Sequence, residues 1–346
     1  MFKKKSALAT LLAGLMILSL AACGNNDTPA GGSGSPAPSQ SQSADGAKVG
    51  QTVLKCENPE AKTLLKLSDD LYDATEGRYS IEVYPSEQLG SQQESLELVQ
   101  SGAIDMALVA NSIVEGVNSD FAIIGCPYVY DSIEHQQKVF ESGKLDELFA
   151  TTEASGFTVL SAYSLGARCV YGNKPVTSPE DLKGMKIRVM QSDTMIKMMD
   201  TMGGIGTAMA QGDVYSAIQA GTLDGAENNI ITYTDLLQYE VAPYYSLTNH
   251  LMIPDELIIN TKLFEGMSAE DQAAFKKAAA ESVPYMFDLA AELRQTYFDK
   301  CENELGVTIT EVDVAPFQEK MADFINDVAN RSDMTKAVYE AIKSER

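Results

Sequence analysis

The chain is poor in the groups that enzymes most often use for proton transfer and metal binding. It has two histidines, His135 and His250, far apart and without a ligand cluster beside either. Each reads as a capping or packing residue rather than a metal ligand. Of the cysteines, Cys56, Cys126, Cys169 and Cys301 show no zinc or iron spacing. They read as buried thiols, because a fold of this size does not need disulfides even where export permits them. No Ser-His-Asp or Cys-His arrangement and no phosphate-cradling glycine loop can be found. An enzyme is therefore not expected, and no cofactor or metal is expected. Positive charge is also scarce: 26 Lys and Arg stand against 49 Asp and Glu, a formal net charge of −23. That balance argues against nucleic acid and against adhesion to anionic lipid. It suits solubility at a cell surface and leaves room for a local basic site.

Long apolar runs are confined to the beginning of the chain. Lys3, Lys4 and Lys5 precede an apolar stretch from Leu8 to Leu20, which is short for a membrane-spanning helix and reads as a targeting segment. It runs into Leu20-Ala21-Ala22-Cys23-Gly24, which looks like a bacterial lipoprotein processing site. The expectation is a signal peptide over 1–22, a lipid on Cys23 and an extracytoplasmic protein anchored to the cell membrane. Removing the three lysines takes the net charge from −23 to −26. Residues 23–50 are rich in Gly, Ser, Pro, Ala and Gln without an apolar period, which predicts a flexible tether.

What remains is long enough for a large core and more than one lobe. Leu54–Cys56 reads as a first strand. Asn58 and Pro59 open a helix with Leu64, Leu65, Leu67, Leu71 and Tyr72 on or near its inner face, closed by Gly77. A strand comes next, ending at Tyr84, then a helix with Ser91 and Glu94 as a capping box, then a buried strand ending at Ala110. Strands alternating with helices predict parallel pairing and a doubly wound sheet. LVQSGAID, at Leu98 to Asp105, is echoed by AIQAGTLD, at Ala217 to Asp224. The echo fits two αβ lobes whose strand ends meet at a cleft, with Asn111 and Asn228 facing it. Met195, Met198, Met199 and Met202 fall at helical spacing and read as core. Ser268 and Asp271 cap a long helix reaching towards Leu305, which Pro284 should kink or divide. Phe317, Met321, Phe324, Ile325 and Val328 mark a final amphipathic helix packing on the second lobe.

The chain is organised around Ser178 to Asn229. Ser178, Pro179, Glu180 and Asp181 form a helix start, with Gly184 as a left-handed stop. Met185, Ile187 and Val189 then alternate with Lys186 and Arg188, the pattern of a strand with one buried face. Arg188 lies near its carboxyl end, where open α/β sheets collect ligands, and its planar fork suits a carboxylate. Asp213 is placed to cap a second helix, and Leu223 and Asp224 lead into Gly225, Glu227, Asn228 and Asn229.

PEDLKGMKIRV, DVYSAIQAGTLDGAEN, LTNH, EVYPSEQLG, LVQSGAIDMALV and LGARCVYGNKPV, taken together, resemble the solute receptors of tripartite ATP-independent periplasmic (TRAP) transporters. The likeness extends from about Leu54 to the C-terminus. It implies a two-lobed, periplasmic-binding-protein-like α/β fold with a ligand cleft between the lobes and a long C-terminal spine helix. The expected boundaries are 51–165 with 254–295 for lobe one, and 166–253 with 296–346 for lobe two. It also implies capture of a small organic acid and delivery to a membrane permease, by a monomer. By resemblance Arg188 forms a paired salt bridge with the ligand carboxylate, Asn228 donates to the same group, and Arg168 is a second, partly structural cation. Gln191 is a further contact.

The chain departs from the family at three points. Gln211 stands where an aromatic residue is usual, which implies a more hydroxylated ligand such as a sugar acid. Met190 replaces a proline. The loop at Cys56–Asn58 is shortened, with Glu57 and Asn58 as substitutes on the lobe-one side. Two other readings of the same residues are a co-receptor for a membrane sensor and, with Glu227 as a base, an exported enzyme.

Overall fold

The computed structural model describes residues 47–51 as a backbone strand, then 59–85 and 87–346. The expectations for Cys23, the tether, Leu54–Cys56, Glu57 and Asn58 lie outside the described residues, apart from the last residues of the tether. The strands are β1 (Ala47–Gln51), β2 (Ile81–Tyr84), β3 (Met106–Ala110), β4 (Phe157–Tyr163), β5 (Arg168–Gly172) and β6 (Lys186–Val189). They continue with β7 (Ile205–Ala208), β8 (Gly225–Asn228), β9 (Tyr244–Leu251), β10 (Asp255–Asn260) and β11 (Thr308–Thr310). They form two sheets, ordered β2-β1-β3-β10-β4 and β11-β9-β5-β8-β6-β7. The fold is the expected two-lobed α/β arrangement, one sheet to each lobe.

The first strand begins at Ala47, upstream of the expected position. The sheets are mixed rather than purely parallel. β1 pairs in parallel with β2 and β3, and β6 with β7 and β8. β10 runs antiparallel to β3 and β4, and β5 runs antiparallel to β8 and β9. The physical reason lies in the connections. A strand reached through a crossover helix comes back parallel. β4, β5, β9 and β10 carry the chain between the lobes; β5 and β10, on which it enters a sheet from the other lobe, run against the rest, whereas β4 and β9 run with them.

Local rules explain most boundaries. Ser91 and Glu94 form the expected capping box at the helix Gln92–Ser101, and Gly102 closes it at φ 73°. Leu64, Leu67 and Leu71 bury the inner face of the helix Pro59–Ala74. Leu65 and Tyr72 instead face solvent, at 48% and 55% exposure. Their positions fall off the inner stripe that a 3.6-residue period allows. The helix Ala269–Asn303 runs undivided through Pro284. Val283, Met286 and Phe287 are buried around that proline, so packing outweighs one missing backbone bond. Met195, Met198, Met199 and Met202 are buried, and Phe317, Met321 and Phe324 share their cluster. A last helix, Asp333–Lys343, reaches the first lobe rather than the second. There Ser332 Oγ donates to Asp120 Oδ1 at 2.7 Å, and Ile342 O lies 2.8 Å from His135 Nε2. Cys126, Cys169 and Cys301 are free, buried thiols.

Candidate functional site

The site forms at strand carboxyl ends. Arg188 is third in β6, beside Ala226 of β8, whose last residue is Asn228. β5 runs antiparallel to β8 with Cys169 opposite Asn228, so Arg168 at its start lies at the same edge. In the first lobe β3 ends at Ala110, and the antiparallel β10 places Asp255 directly opposite. Gly225 lets β8 approach β5 closely, since a Cβ there would lie 2.1 Å from Tyr171 O. Both lobes therefore present strand ends to one cleft, part of it open to solvent. Arg168, Arg188, Gln191, Gln211 and Asn228 line it, facing Glu60, Ser112 and Asp255. A second cavity, near Gly102 and Gly156, is lined by Asp105, Glu153 and Glu265 against Lys262, a poor environment for an anion.

The two arginines have different surroundings. Arg168 donates through Nε and Nη2 to the two Glu227 carboxylate oxygens at 2.6 and 2.8 Å. Nη2 also reaches Glu227 O at 2.8 Å, and Nη1 reaches Asn228 Oδ1 at 2.6 Å. Arg188 donates through Nε to Met209 O at 2.8 Å and through Nη1 to Gln211 Oε1 at 2.9 Å. Its Nη2 makes no hydrogen bond among the described residues. Arg188 thus keeps an edge of its guanidinium for something else in the cleft.

Asn228 is oriented by its own acceptors. Its Oδ1 receives Arg168 Nη1 and the backbone N–H of Asn229 at 3.0 Å. That fixes Nδ2 as the outward donor, and Nδ2 donates to Gln211 Oε1 at 3.2 Å. One amide oxygen therefore joins Arg188 and Asn228, as one oxygen of a carboxylate could. Gln211 Nε2 is buried without a partner among the described residues.

Burial dominates the electrostatics. It would raise the carboxyl of Glu227, but Arg168 and His250 hold it down at about 2. His250 is buried, its Nε2 3.6 Å from Glu227 Oε2 and its Nδ1 2.9 Å from Thr248 Oγ1. Glu227 is thus the partner of Arg168 rather than a poised base. Burial lowers Arg188 to about 10, aided by Arg168 and opposed by Glu227 and Glu87. Burial raises Asp255 to about 6, against Arg168 and Glu60. Burial and the adjacent Asp255 push Glu60 well above the usual carboxylate range.

Some expectations need correction. Asn111 does not line the cleft. Its Nδ2 donates to Phe121 O at 3.0 Å behind the wall, and Gly125 packs against the same amide. Its neighbours Ala110, Ser112 and Ile113 line the cavity instead. The Gln-x-Gly-x-x-Asp echo matches helix ends and leaves the segment after each strand free to differ, since Asn111 opens a short helix. Asp213 makes no side-chain cap to the helix Val214–Gln219; a 3-10 turn, Gln211–Asp213, runs straight into it. Sequence reasoning missed Glu60, Glu87, Ser112 and Asp255, all on the lining. Glu60 sits in a first helical turn, where an acid also suits the helix dipole, so nothing local singled it out.

The family described as bacterial extracellular solute-binding protein, family 7, matches residues 50–332. A solute-binding protein of Chromohalobacter salexigens is 35% identical over 266 residues, covering 76% of this chain and 79% of that relative. A TRAP periplasmic solute-binding protein of Anaerococcus prevotii, solved with D-glucuronate, is 34% identical with a TM-score of 0.82. That alignment covers 86% of this chain and 97% of the other. One from Xanthobacter autotrophicus, solved with β-D-galacturonate, is 32% identical with a TM-score of 0.81, over 86% and 99% of the two chains.

Proposed function

The chain belongs to bacterial extracellular solute-binding protein family 7 and is the solute receptor of a TRAP transporter, and we propose that Arg188 is the residue that grips its ligand. The receptor captures a small sugar acid outside the cytoplasm for a membrane permease. Members of the family are receptors rather than enzymes. The ligand class rests on the uronates bound by similar proteins and on the cleft's polar lining.

Arg188 carries the reading because its Nη2 is unclaimed among the described residues, while Arg168 commits four of its five N–H groups to Glu227 and Asn228. A ligand carboxylate takes the place of Gln211 Oε1, bonded to Arg188 in a paired geometry and to Asn228 Nδ2. The displaced Gln211 amide then serves a ligand hydroxyl. Gln191, at the exposed rim, is a further contact. Arg168 keeps Asn228 aimed at the acid. With contacts from both lobes present only when the cleft is shut, ligand shifts the protein towards the closed state. Cys23 carries the lipid that holds the receptor at the membrane, and the protein lacks catalytic activity of its own.

A thermal-shift screen over uronates, other sugar acids, dicarboxylates and keto acids tests the ligand class. Uronates should raise the unfolding midpoint most. A shift confined to keto acids would contradict the reading.

A further inference from the structure

We propose that Glu60 and Asp255 form a second recognition pole in the cleft, which takes hydroxyl groups at the far end of a monocarboxylic polyhydroxy acid and rejects a second carboxylate. The proposal rests on the assignment of the ligand carboxylate to Arg188. Both acids line the same cavity as Arg188 and Arg168 but come from the other lobe. Glu60 stands in the first turn of the helix Pro59–Ala74 and is only 8% exposed. Asp255 opens β10 between Ala110 of β3 and Tyr163 of β4. These placements are held by backbone, one in a helical turn and one in a strand pairing.

The chemistry follows from two acids on one wall of the cavity. Burial and the neighbouring Asp255 hold the Glu60 carboxyl well above the usual carboxylate range, whereas Glu60 helps keep the charge on Asp255. Arg168 favours the charge on Asp255, whereas Asp235 and Asp255 disfavour charge on Glu60. Glu256, next along β10, is buried and pushed well above the usual range, Asp255 contributing. Asp255 therefore holds charge more readily than Glu60, which burial and Asp255 bias towards its protonated form. A sugar hydroxyl can donate to the first and accept from the second. Ser112 Oγ, 1% exposed and without a partner among the described residues, lines the same wall. It offers one more such contact. A second carboxylate brought here would meet charge of its own sign with little water to screen it. The cleft is polar at both ends, with opposite signs, and that asymmetry orients the ligand as well as selecting it.

Calorimetry on the protein with D-glucuronate, and with D-gluconate and D-glucarate, tests the proposal. The two open-chain acids differ only at the far carbon, a hydroxymethyl in one and a carboxylate in the other. Glucarate should bind at least 30-fold more weakly than gluconate. Asp255→Asn should weaken glucuronate tenfold or more and close most of the gluconate-to-glucarate gap; Glu60→Gln serves as a second variant should the first fail to fold. Glucarate bound as tightly as gluconate, or glucuronate affinity unchanged in both variants, would overturn the second pole and leave the Arg188 site standing. Failure of glucuronate and gluconate to bind the unaltered protein would overturn the sugar-acid reading and the pole together.

Discussion

Arg168 gives four of its five N–H groups to the chain itself, and Glu227 takes most of them: Nε and Nη2 reach the two carboxylate oxygens at 2.6 and 2.8 Å. Both side chains are buried. Removing one member of such a pair strands the other charge in a dry site, at a cost of roughly 3–5 kcal/mol. Glu227→Ala should lower the unfolding free energy by about that much in urea. A loss below about 1 kcal/mol, the level of an exposed pair, would contradict the burial and the pairing.

The acids of the site set an unusual pH dependence. Glu227 is held at about 2, below its ordinary 4.5. Its stabilising charge is complete above about 4.5 and is lost as the pH falls towards 2. Asp255 titrates near 6 instead of 3.8, and Glu60 and Glu256 are also raised. Those groups favour the fold when protonated, so they add stability as the pH falls through 6 and remove it as the pH rises. Thermal midpoints should therefore climb from pH 8 to about pH 5 and drop below pH 4. A midpoint that falls steadily from pH 8 to pH 5 would contradict the assignment.

Gln211 has an amide oxygen shared by Arg188 and Asn228 and a buried Nε2 without a partner among the described residues. Gln211→Leu keeps the volume and removes both functions. Uronate affinity should fall about tenfold, the worth of one hydrogen bond of about 1.4 kcal/mol. The thermal midpoint should move little. Unchanged affinity by calorimetry would remove Gln211 from ligand recognition.

Cys23 sits directly after Leu20-Ala21-Ala22, and lipidation there would hold the receptor at the membrane. Cys23→Ala should move the protein from the membrane fraction to the medium or periplasm, as read by immunoblotting. An unchanged membrane fraction would exclude the anchor at this residue.

Much of the fold, and the position of several side chains along the cleft, were legible in the sequence. Arg188 announced itself because a charged residue in an alternating strand near its carboxyl end has few structural uses. Gly102, Ser91 and Ser268 marked helix ends through backbone chemistry that depends on neighbours in sequence. The two-sided cleft was only half legible. Glu60 and Asp255 acquire meaning from a pairing between residues far apart in the chain, set by the strand register of Asp255 with Ala110. Asn111 misled because its resemblance to Asn228 lay in the helix end before it, whereas the placement of an amide depends on what packs next, here Phe121 and Gly125. The antiparallel strands were hidden for a similar reason, since direction is decided by which lobe the chain has just left.

The most direct test of the central claim is the affinity of Arg188→Lys for D-glucuronate, measured calorimetrically beside the unaltered protein and Arg188→Ala. Truncating one partner of a buried charge pair costs roughly 2–5 kcal/mol, about 30-fold to several-thousand-fold in affinity. Arg188→Ala should show a loss in that range, and Arg188→Lys should also bind markedly more weakly, because an ammonium cannot reproduce the paired geometry. Glucuronate bound by both variants as tightly as by the unaltered protein would contradict the account.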